Sequence, residues 1–168
     1  MAFSVVDTQG RLKVDQGLGL HRSSAITYID GTGTAGTDNT AMTIKTVVLP
    51  ADTLTQVGDR LRIRTYWAGT TGGALTGTVS VNTVPVSATT DVGGTTIQLN
   101  EAWLHYIDSN HANIMEQDAG ALGALSAVNV VGFSWSTIQD IIFAQDAAVG
   151  NHAVLYALII DVFPKGVQ

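Results

Sequence analysis

Apolar and polar residues alternate repeatedly between residues 39 and 168, and this period of two predicts a series of short β-strands. In residues 61–67 the apolar side chains and Thr65 fall on one face, while Arg62, Arg64 and Tyr66 fall on the other. Strand patterns recur in five further segments: 42–48, 79–81, 95–99, 103–107 and 113–116. Two more segments, 128–135 and 153–163, are strongly apolar. Turn signals rich in glycine separate these segments. We therefore expect an all-β protein, a jelly-roll-like antiparallel sandwich.

Finer features of this pattern give further predictions. The strand at 42–48 is predicted to keep four side chains on one face: Met42, Ile44, Thr46 and Val48. Residues 136–139 have the form of a helix capping box, but 140–144 resemble a short buried strand. We favour the strand because a lone helix of this length is marginal. Residues 118–127, rich in Ala and Gly, are predicted to form a loop.

The N-terminal part of the chain has a different pattern. Residues 1–38 hold short apolar patches, and the stretch 31–38 is rich in Gly and Thr with nothing to bury. We predict an extended N-terminal attachment arm and hinge over 1–38 and an oligomerising domain over 39–168. The arm has apolar residues but no core of its own, so a partner surface would have to order it. The predicted attachment residues are Phe3, Val5, Val6, Leu12 and Val14.

The last strand predicts self-association. Both alternating faces of residues 153–160 are apolar, whereas a sandwich strand normally has one solvated face. Charged residues make up only 13% of the chain, about half the usual share. Much of the surface is therefore expected to be buried against other copies, through an interface that includes Leu155, Ala157 and Ile159. Cover by loops of the same chain is the alternative explanation of this strand.

Composition argues against several classes of function. The chain has 8 Lys and Arg, a net charge of −6 and no basic stripe, so nucleic-acid binding is not expected. Without cysteine, the chain can have no disulfide, thiolate metal site or Cys nucleophile. No apolar run approaches the roughly 18 residues of a membrane helix. The first residues do not resemble a signal peptide, so we expect no membrane partner and synthesis in the cytoplasm.

No motif predicts a cofactor. Residues 31–36 match the dinucleotide-binding pattern G-x-G-x-x-G, but a strand pattern follows where that site requires a helix. His105 and His111 could approach each other across a turn that contains Asp108. Their spacing is not specific for a metal site, so metal binding there is left open and no ligand set is predicted.

Enzymatic activity is not expected either. No serine lies in a nucleophile elbow. A glycosidase needs two opposed carboxylates, and Glu101, Glu116 and Asp118 are candidates by residue type only. Alternation favours core packing over sugar stacking for Trp67 and Trp103.

Two stretches resemble proteins of bacteriophage particles. Residues 5–14, VVDTQGRLKV, resemble an N-terminal phrase of phage virion proteins. LPADTL at 49–54, followed by GDRLRI at 58–63, resembles the "LPANTL…GDSLRI" signature of phage head-fibre, decoration and tail-fibre modules with a β-sandwich. The later strand order is similar as well, so the resemblance covers most of residues 39–168. The chain departs from the family in 109–127, which is longer here.

The resemblance implies a structural protein of the virion. Its expected role is capsid decoration, as a cement protein or a short head fibre, on the outer surface of the capsid. The expected partners are further copies of the chain and the major capsid protein or another virion protein. The family implies a homotrimer, although nothing in the spacing distinguishes three copies from two or five. The alternative is a tail-fibre receptor-binding module that recognises a host surface glycan.

Overall fold

The structure, a computed structural model, describes residues 26–70, 75–89, 96–118, 121–122, 127–146 and 150–165. These residues form strands and no helix: β1 (Ile26–Asp30), β2 (Thr34–Ala35), β3 (Met42–Leu49), β4 (Arg60–Gly69), β5 (Gly77–Val81), β6 (Val84–Thr89), β7 (Gln98–Asp108), β8 (His111–Asp118), β9 (Ala121–Leu122), β10 (Ala127–Val131), β11 (Gln139–Gln145) and β12 (Ala153–Phe163). No helix in these ranges is long and apolar enough to cross a membrane. The all-β prediction is confirmed.

The strands form two antiparallel sheets. The larger sheet has the order β1-β12-β4-β7-β8-β10, with β2 also paired to β12 and β9 to β8, and the smaller sheet has the order β3-β11-β5-β6. The chain crosses between the sheets from β2 to β3, β3 to β4, β4 to β5, β6 to β7, β10 to β11 and β11 to β12. The quartets β1-β12-β4-β7 and β3-β11-β5-β6 give the strand order of a jelly roll, and β8 and β10 extend the larger sheet. The predicted jelly-roll-like sandwich is confirmed.

The core lies between the two sheets and follows the alternation of the sequence. In β4, Leu61, Ile63 and Trp67 are buried while the arginines between them are only partly covered, as predicted. The Trp67 ring lies so close to Gly77 that a Cβ there would be 2.9 Å from it. Only glycine fits this position of β5 without displacing the ring. The packing of Trp67 in the larger sheet therefore requires a glycine at residue 77 of the smaller sheet.

The strand β3 corrects one sequence prediction. Its pairing with β11 shifts between Thr43 and Lys45, which leaves Ile44 as the extra residue of a β-bulge. A one-residue shift exchanges the two faces of a strand, and beyond the bulge Val47 and Leu49 are the buried residues. The sequence pattern predicted that four side chains share one face of this strand, and this prediction is wrong: Met42, Ile44, Thr46 and Val48.

Other strand predictions hold with changed bounds. The segments predicted at 95–99 and 103–107 form one strand, β7, within the described residues. The segment 140–144 lies in the strand β11, so the prediction of a strand there is confirmed over that of a helix. The predicted loop at 118–127 contains β9, which pairs with β8.

The structure also corrects the predicted boundary after residue 38. Residues of β1 pair with β12, and Tyr28 lies in the core. The predicted hinge includes β2 and is held in place, since Gly36 N donates to Ala153 O at 2.8 Å. The Gln145 side chain binds the next turn, because its Nε2 donates to the carbonyls of Thr37 and Thr40 at 2.7 Å. The sandwich therefore includes residues 26–38. The predicted attachment residues Phe3, Val5, Val6, Leu12 and Val14 lie outside the described residues.

Candidate interaction surface

We call the side of the larger sheet that faces away from the smaller sheet the outer face. It carries apolar, aromatic and arginine side chains. Alternate residues of its strands point there. Strand register places them in rows: Ile159, Arg64 and Glu101; Asp161, Arg62 and Trp103; Phe163, Arg60 and His105. The outer face is therefore a regular array of apolar, aromatic and arginine side chains.

One half of the outer face is apolar. Ile29 of β1 lies opposite Ile159 of β12, and Ala157 lies opposite Tyr66, which in turn lies opposite Leu99 of β7. Ile29 is 62% exposed and Leu99 is 42% exposed. These five residues, here called the apolar stripe, cross four neighbouring strands. A solvated sheet face normally carries polar residues at such positions, so the stripe is a candidate contact surface.

The predicted interface residues of β12 separate into two sets. Ala157 and Ile159 belong to the apolar stripe, but Leu155 is 2% exposed and lies in the core of its own chain. The pairing of β12 with β4 shifts between Leu155 and Ala157, so a bulge at Tyr156 exchanges the faces. Leu155 therefore does not share a face with Ala157 and Ile159, and its assignment to an exposed interface is corrected. Whether the other two contact another copy stays a prediction.

The other half of the outer face is an arginine cluster, made of Arg60, Arg62, Arg64, Asp161, Trp103 and Phe163. Asp161 is 3% exposed and binds two guanidinium groups. Its Oδ2 accepts from Arg62 Nε at 2.9 Å and Nη2 at 2.6 Å, and from Arg64 Nη2 at 3.0 Å. The carboxylate thus ties β12 to β4 from the outside of the sheet.

The rings of Trp103 and Phe163 stack on each other, with centroids 5.4 Å apart. The guanidinium carbon of Arg62 lies 5.1 Å from the Trp103 centroid and 5.2 Å from that of Phe163, and that of Arg60 lies 5.7 Å from both. Such contacts are cation–π interactions. The prediction that Trp103 packs in the core is wrong, whereas it is confirmed for Trp67.

The cluster changes the electrostatics of its neighbour His105. Burial lowers the pKa of the His105 imidazole below its usual range, and the positive charge of Arg60 lowers it further. Two guanidinium groups thus bind one buried carboxylate, a third lies near the rings, and a second carboxylate, Glu101, lies in the row of Arg64. Its Oε1 accepts from Trp103 Nε1 at 2.6 Å. The cluster is an island of positive charge in a chain of net charge −6.

Two of the three candidate catalytic carboxylates, Glu101 and Glu116, do not face each other. Glu101 lies on the outer face, whereas Glu116 is 1% exposed on the inner side of the same sheet. Glu116 Oε1 accepts from Ala88 N at 2.7 Å and from Asn100 Nδ2 at 3.2 Å, so it joins the smaller sheet to the larger one. Asp118 pairs by its backbone with Asn100. The sheet therefore separates Glu101 from Glu116, and the two cannot act on one substrate.

Two histidines of the described residues form pairs with carboxylates. His111 Nδ1 lies 2.7 Å from Asp108 Oδ1, and His152 Nδ1 lies 2.7 Å from Asp38 Oδ1. The backbone N–H of Asn110 and the His111 side chain hold the pKa of Asp108 below its usual value. His105 lies further along β7, in the row of Arg60. Within the described ranges, no group of three or more His, Cys, Asp or Glu side chains could hold a metal ion.

The dinucleotide-binding pattern at residues 31–36 has no structural counterpart. These residues run from β1 through β2, and the strand β3 follows where a phosphate site would need a helix. A Cβ added at Gly36 would lie 1.9 Å from Gln145 Oε1, so this glycine permits close packing of the chain.

Sequence reasoning did not anticipate the arginine cluster. Arginines at 60, 62 and 64 alternate on one predicted strand face, and this was the available signal. It could not identify Asp161, Trp103 or Phe163 as neighbours, because these come from strands about 40 and 100 residues away whose register was unknown.

Searches of protein-family models, of curated proteins and of solved structures find no match to this chain.

Proposed function

We propose that this chain is a structural module of a bacteriophage particle that self-associates through its outer face. In this proposal the module lies on the exterior of the capsid, as a decoration protein or short head fibre. The observation that carries the proposal is the apolar stripe, an exposed apolar band across four strands of a jelly roll. Jelly rolls are common in viral capsid domains, although a fold alone does not determine a function.

The stripe supports self-association on energetic grounds. Burying apolar surface stabilises a complex by roughly 25 cal/mol per Å². Ile29 and Leu99 are 62% and 42% exposed in the single chain, and this surface would gain the stabilisation only against another surface. A homo-oligomer, a trimer by the family resemblance, supplies that surface without a further gene product.

Attachment is assigned to the residues that precede β1. The apolar alternation of Phe3, Val5, Leu12 and Val14 suits strand addition to a partner such as the major capsid protein. Several copies in one oligomer would each contribute such a segment. Linked weak contacts then add up through effective concentration.

Recognition of a host glycan is less well supported. A sugar stacks on the free face of an aromatic ring, but Trp103 and Phe163 stack on each other and are covered by guanidinium groups. The arrangement favours a protein contact, in which aromatic and arginine residues are enriched.

Light scattering of the purified chain at micromolar concentration tests the self-association. We expect an oligomer for the natural sequence and dissociation for Ile29→Asp, which places a charge in the stripe. Ile138→Asp is the matched control, because Ile138 is 58% exposed but lies outside the outer face, in the turn before β11. A natural chain that stays at 17.6 kDa would refute the proposal.

Deletion of residues 1–25 tests the attachment. The truncated chain keeps all described strands, so we expect an unchanged oligomer and loss of co-sedimentation with phage particles that lack the chain. Retained co-sedimentation would place attachment in the sandwich instead.

A further inference from the structure

We propose that the arginine cluster is a binding site for a carboxylate of a second copy of the chain, with Arg60 as its principal ligand. This inference rests on the proposed self-association and names the polar part of the same surface. It is independent of the apolar stripe in chemistry, since it depends on charge and geometry.

The charges within the cluster leave Arg60 available. Arg62 and Arg64 both bind Asp161, while Arg60 makes no ion pair with any other described residue. Two guanidinium groups therefore bind the Asp161 carboxylate, and the third, that of Arg60, has no carboxylate partner among the described residues. Arg64 Nε is also buried without a hydrogen-bond partner among the described residues. Both features mark a surface with more donors than acceptors, which a carboxylate can satisfy.

The rings hold Arg60 in a suitable position. Its guanidinium carbon lies 5.7 Å from the ring centroids of both Trp103 and Phe163, within the range of a cation–π contact. Its N–H groups make no ion pair with a described residue, and two N–H groups of a guanidinium match the two oxygens of a carboxylate. Because the rings already restrict the side chain, little conformational entropy is lost when an anion binds.

Charge complementarity favours a second copy as the source of the carboxylate. The chain has 14 Asp and Glu against 8 Lys and Arg, so two copies repel each other over most of their surfaces. The arginine cluster is a positive region directly beside the apolar stripe, with Arg64 in the same row as Ile159. Contact there replaces repulsion by attraction, and it lets an acidic chain bury its stripe against another copy.

Sedimentation equilibrium at 20 and 300 mM NaCl tests the inference. Arg60→Gln is compared with Ile138→Asp, which makes the same change in net charge away from the outer face. We expect Arg60→Gln to raise the dissociation constant at low salt by at least about tenfold. The salt dependence of self-association should also become weaker, since one screened ion pair is lost. Arg60→Lys retains the charge but not the bidentate, stacked geometry and should give an intermediate value.

The outcomes are distinguishable. If the natural chain is monomeric throughout, both the proposed function and this inference are overturned. If it is oligomeric and Ile29→Asp dissociates it, but Arg60→Gln and Arg60→Lys match the Ile138→Asp control, only the carboxylate site is overturned. A tenfold weakening for Arg60→Gln with an unchanged melting temperature supports the site.

Discussion

The loop between β3 and β4 depends on one buried carboxylate, and its removal should be among the most damaging single changes outside the apolar core. Asp59 is 3% exposed. Its Oδ2 accepts from Thr55 N at 2.8 Å, Gln56 N at 3.1 Å and Thr55 Oγ1 at 3.2 Å, and its Oδ1 accepts from Lys165 N at 2.7 Å. One side chain thus fixes its own loop and the segment that follows β12.

The size of the effect follows from these four bonds. A hydrogen bond to a charged group contributes about 1.5–3 kcal/mol, so simple addition for Asp59→Ala would give roughly 6–12 kcal/mol. The real loss is smaller because Thr55 and Lys165 are exposed and their N–H groups regain water. We expect Asp59→Ala to reduce the free energy of unfolding by about 3–5 kcal/mol, comparable to breaking a buried ion pair. Asp59→Asn keeps one acceptor but turns an NH₂ group towards N–H donors, and should cost about 1–3 kcal/mol.

Urea denaturation followed by circular dichroism measures both variants. Asp52→Asn is the matched control, since it makes the same chemical change in the same loop at an exposed position. Asn also tolerates the positive φ of 58° at residue 52. The control should change stability by less than about 0.5 kcal/mol. If Asp59→Asn and Asp52→Asn were equally stable, the assignment of Asp59 as the organising residue would be refuted.

Three further predictions concern packing and titration. Gly36→Ala should lower the melting temperature, because its Cβ would collide with the Gln145 side chain and displace the bonds that hold the turn after β2. Ile63→Ala should reduce the free energy of unfolding by about 2–5 kcal/mol in a denaturation experiment, because the side chain is buried in the core. The His105 imidazole should titrate below its ordinary pKa of 6.5 in an NMR experiment, and Arg60→Gln should raise that midpoint. Because folding lowers this pKa, the contribution of His105 to stability is complete above pH 6.5 and falls as the pH drops below it.

Each of these has a control and a contrary result. Gly31→Ala should leave the melting temperature unchanged, because a Cβ added there has no heavy atom within 4 Å. Equal effects of the two substitutions on the melting temperature would exclude the collision between residue 36 and Gln145. Arg64→Ala should cost less than Ile63→Ala, since Arg62 still binds Asp161, and the reverse order would mean that β4 is out of phase. A His105 midpoint unchanged by Arg60→Gln would show that the two side chains do not interact.

The sequence by itself determined the fold class and the inward-facing residues of β4. Uninterrupted alternation decides which side chains are buried, so the faces of β4 could be assigned from residues 61–67 alone. The same reasoning failed at β3 and β12, where bulges at Ile44 and Tyr156 exchange the faces. A bulge inserts one residue without changing composition, and only pairing with the neighbouring strand reveals it.

The extent of the sandwich and the content of the outer face were decided by tertiary structure. Residues 25–29 are strand-like in sequence, but nothing in the sequence assigns them to the sandwich. The strand β1 belongs to it because it pairs with β12 at the edge of the larger sheet. The arginine cluster depends in the same way on register, because the pairing of β4 with β7 and β12 places Arg62 between Trp103 and Asp161. Local patterns act over a few residues, whereas these contacts join strands about 40 and 100 residues apart. The sequence therefore specified that a sandwich forms, and the packing of its strands specified which side chains its surface presents together.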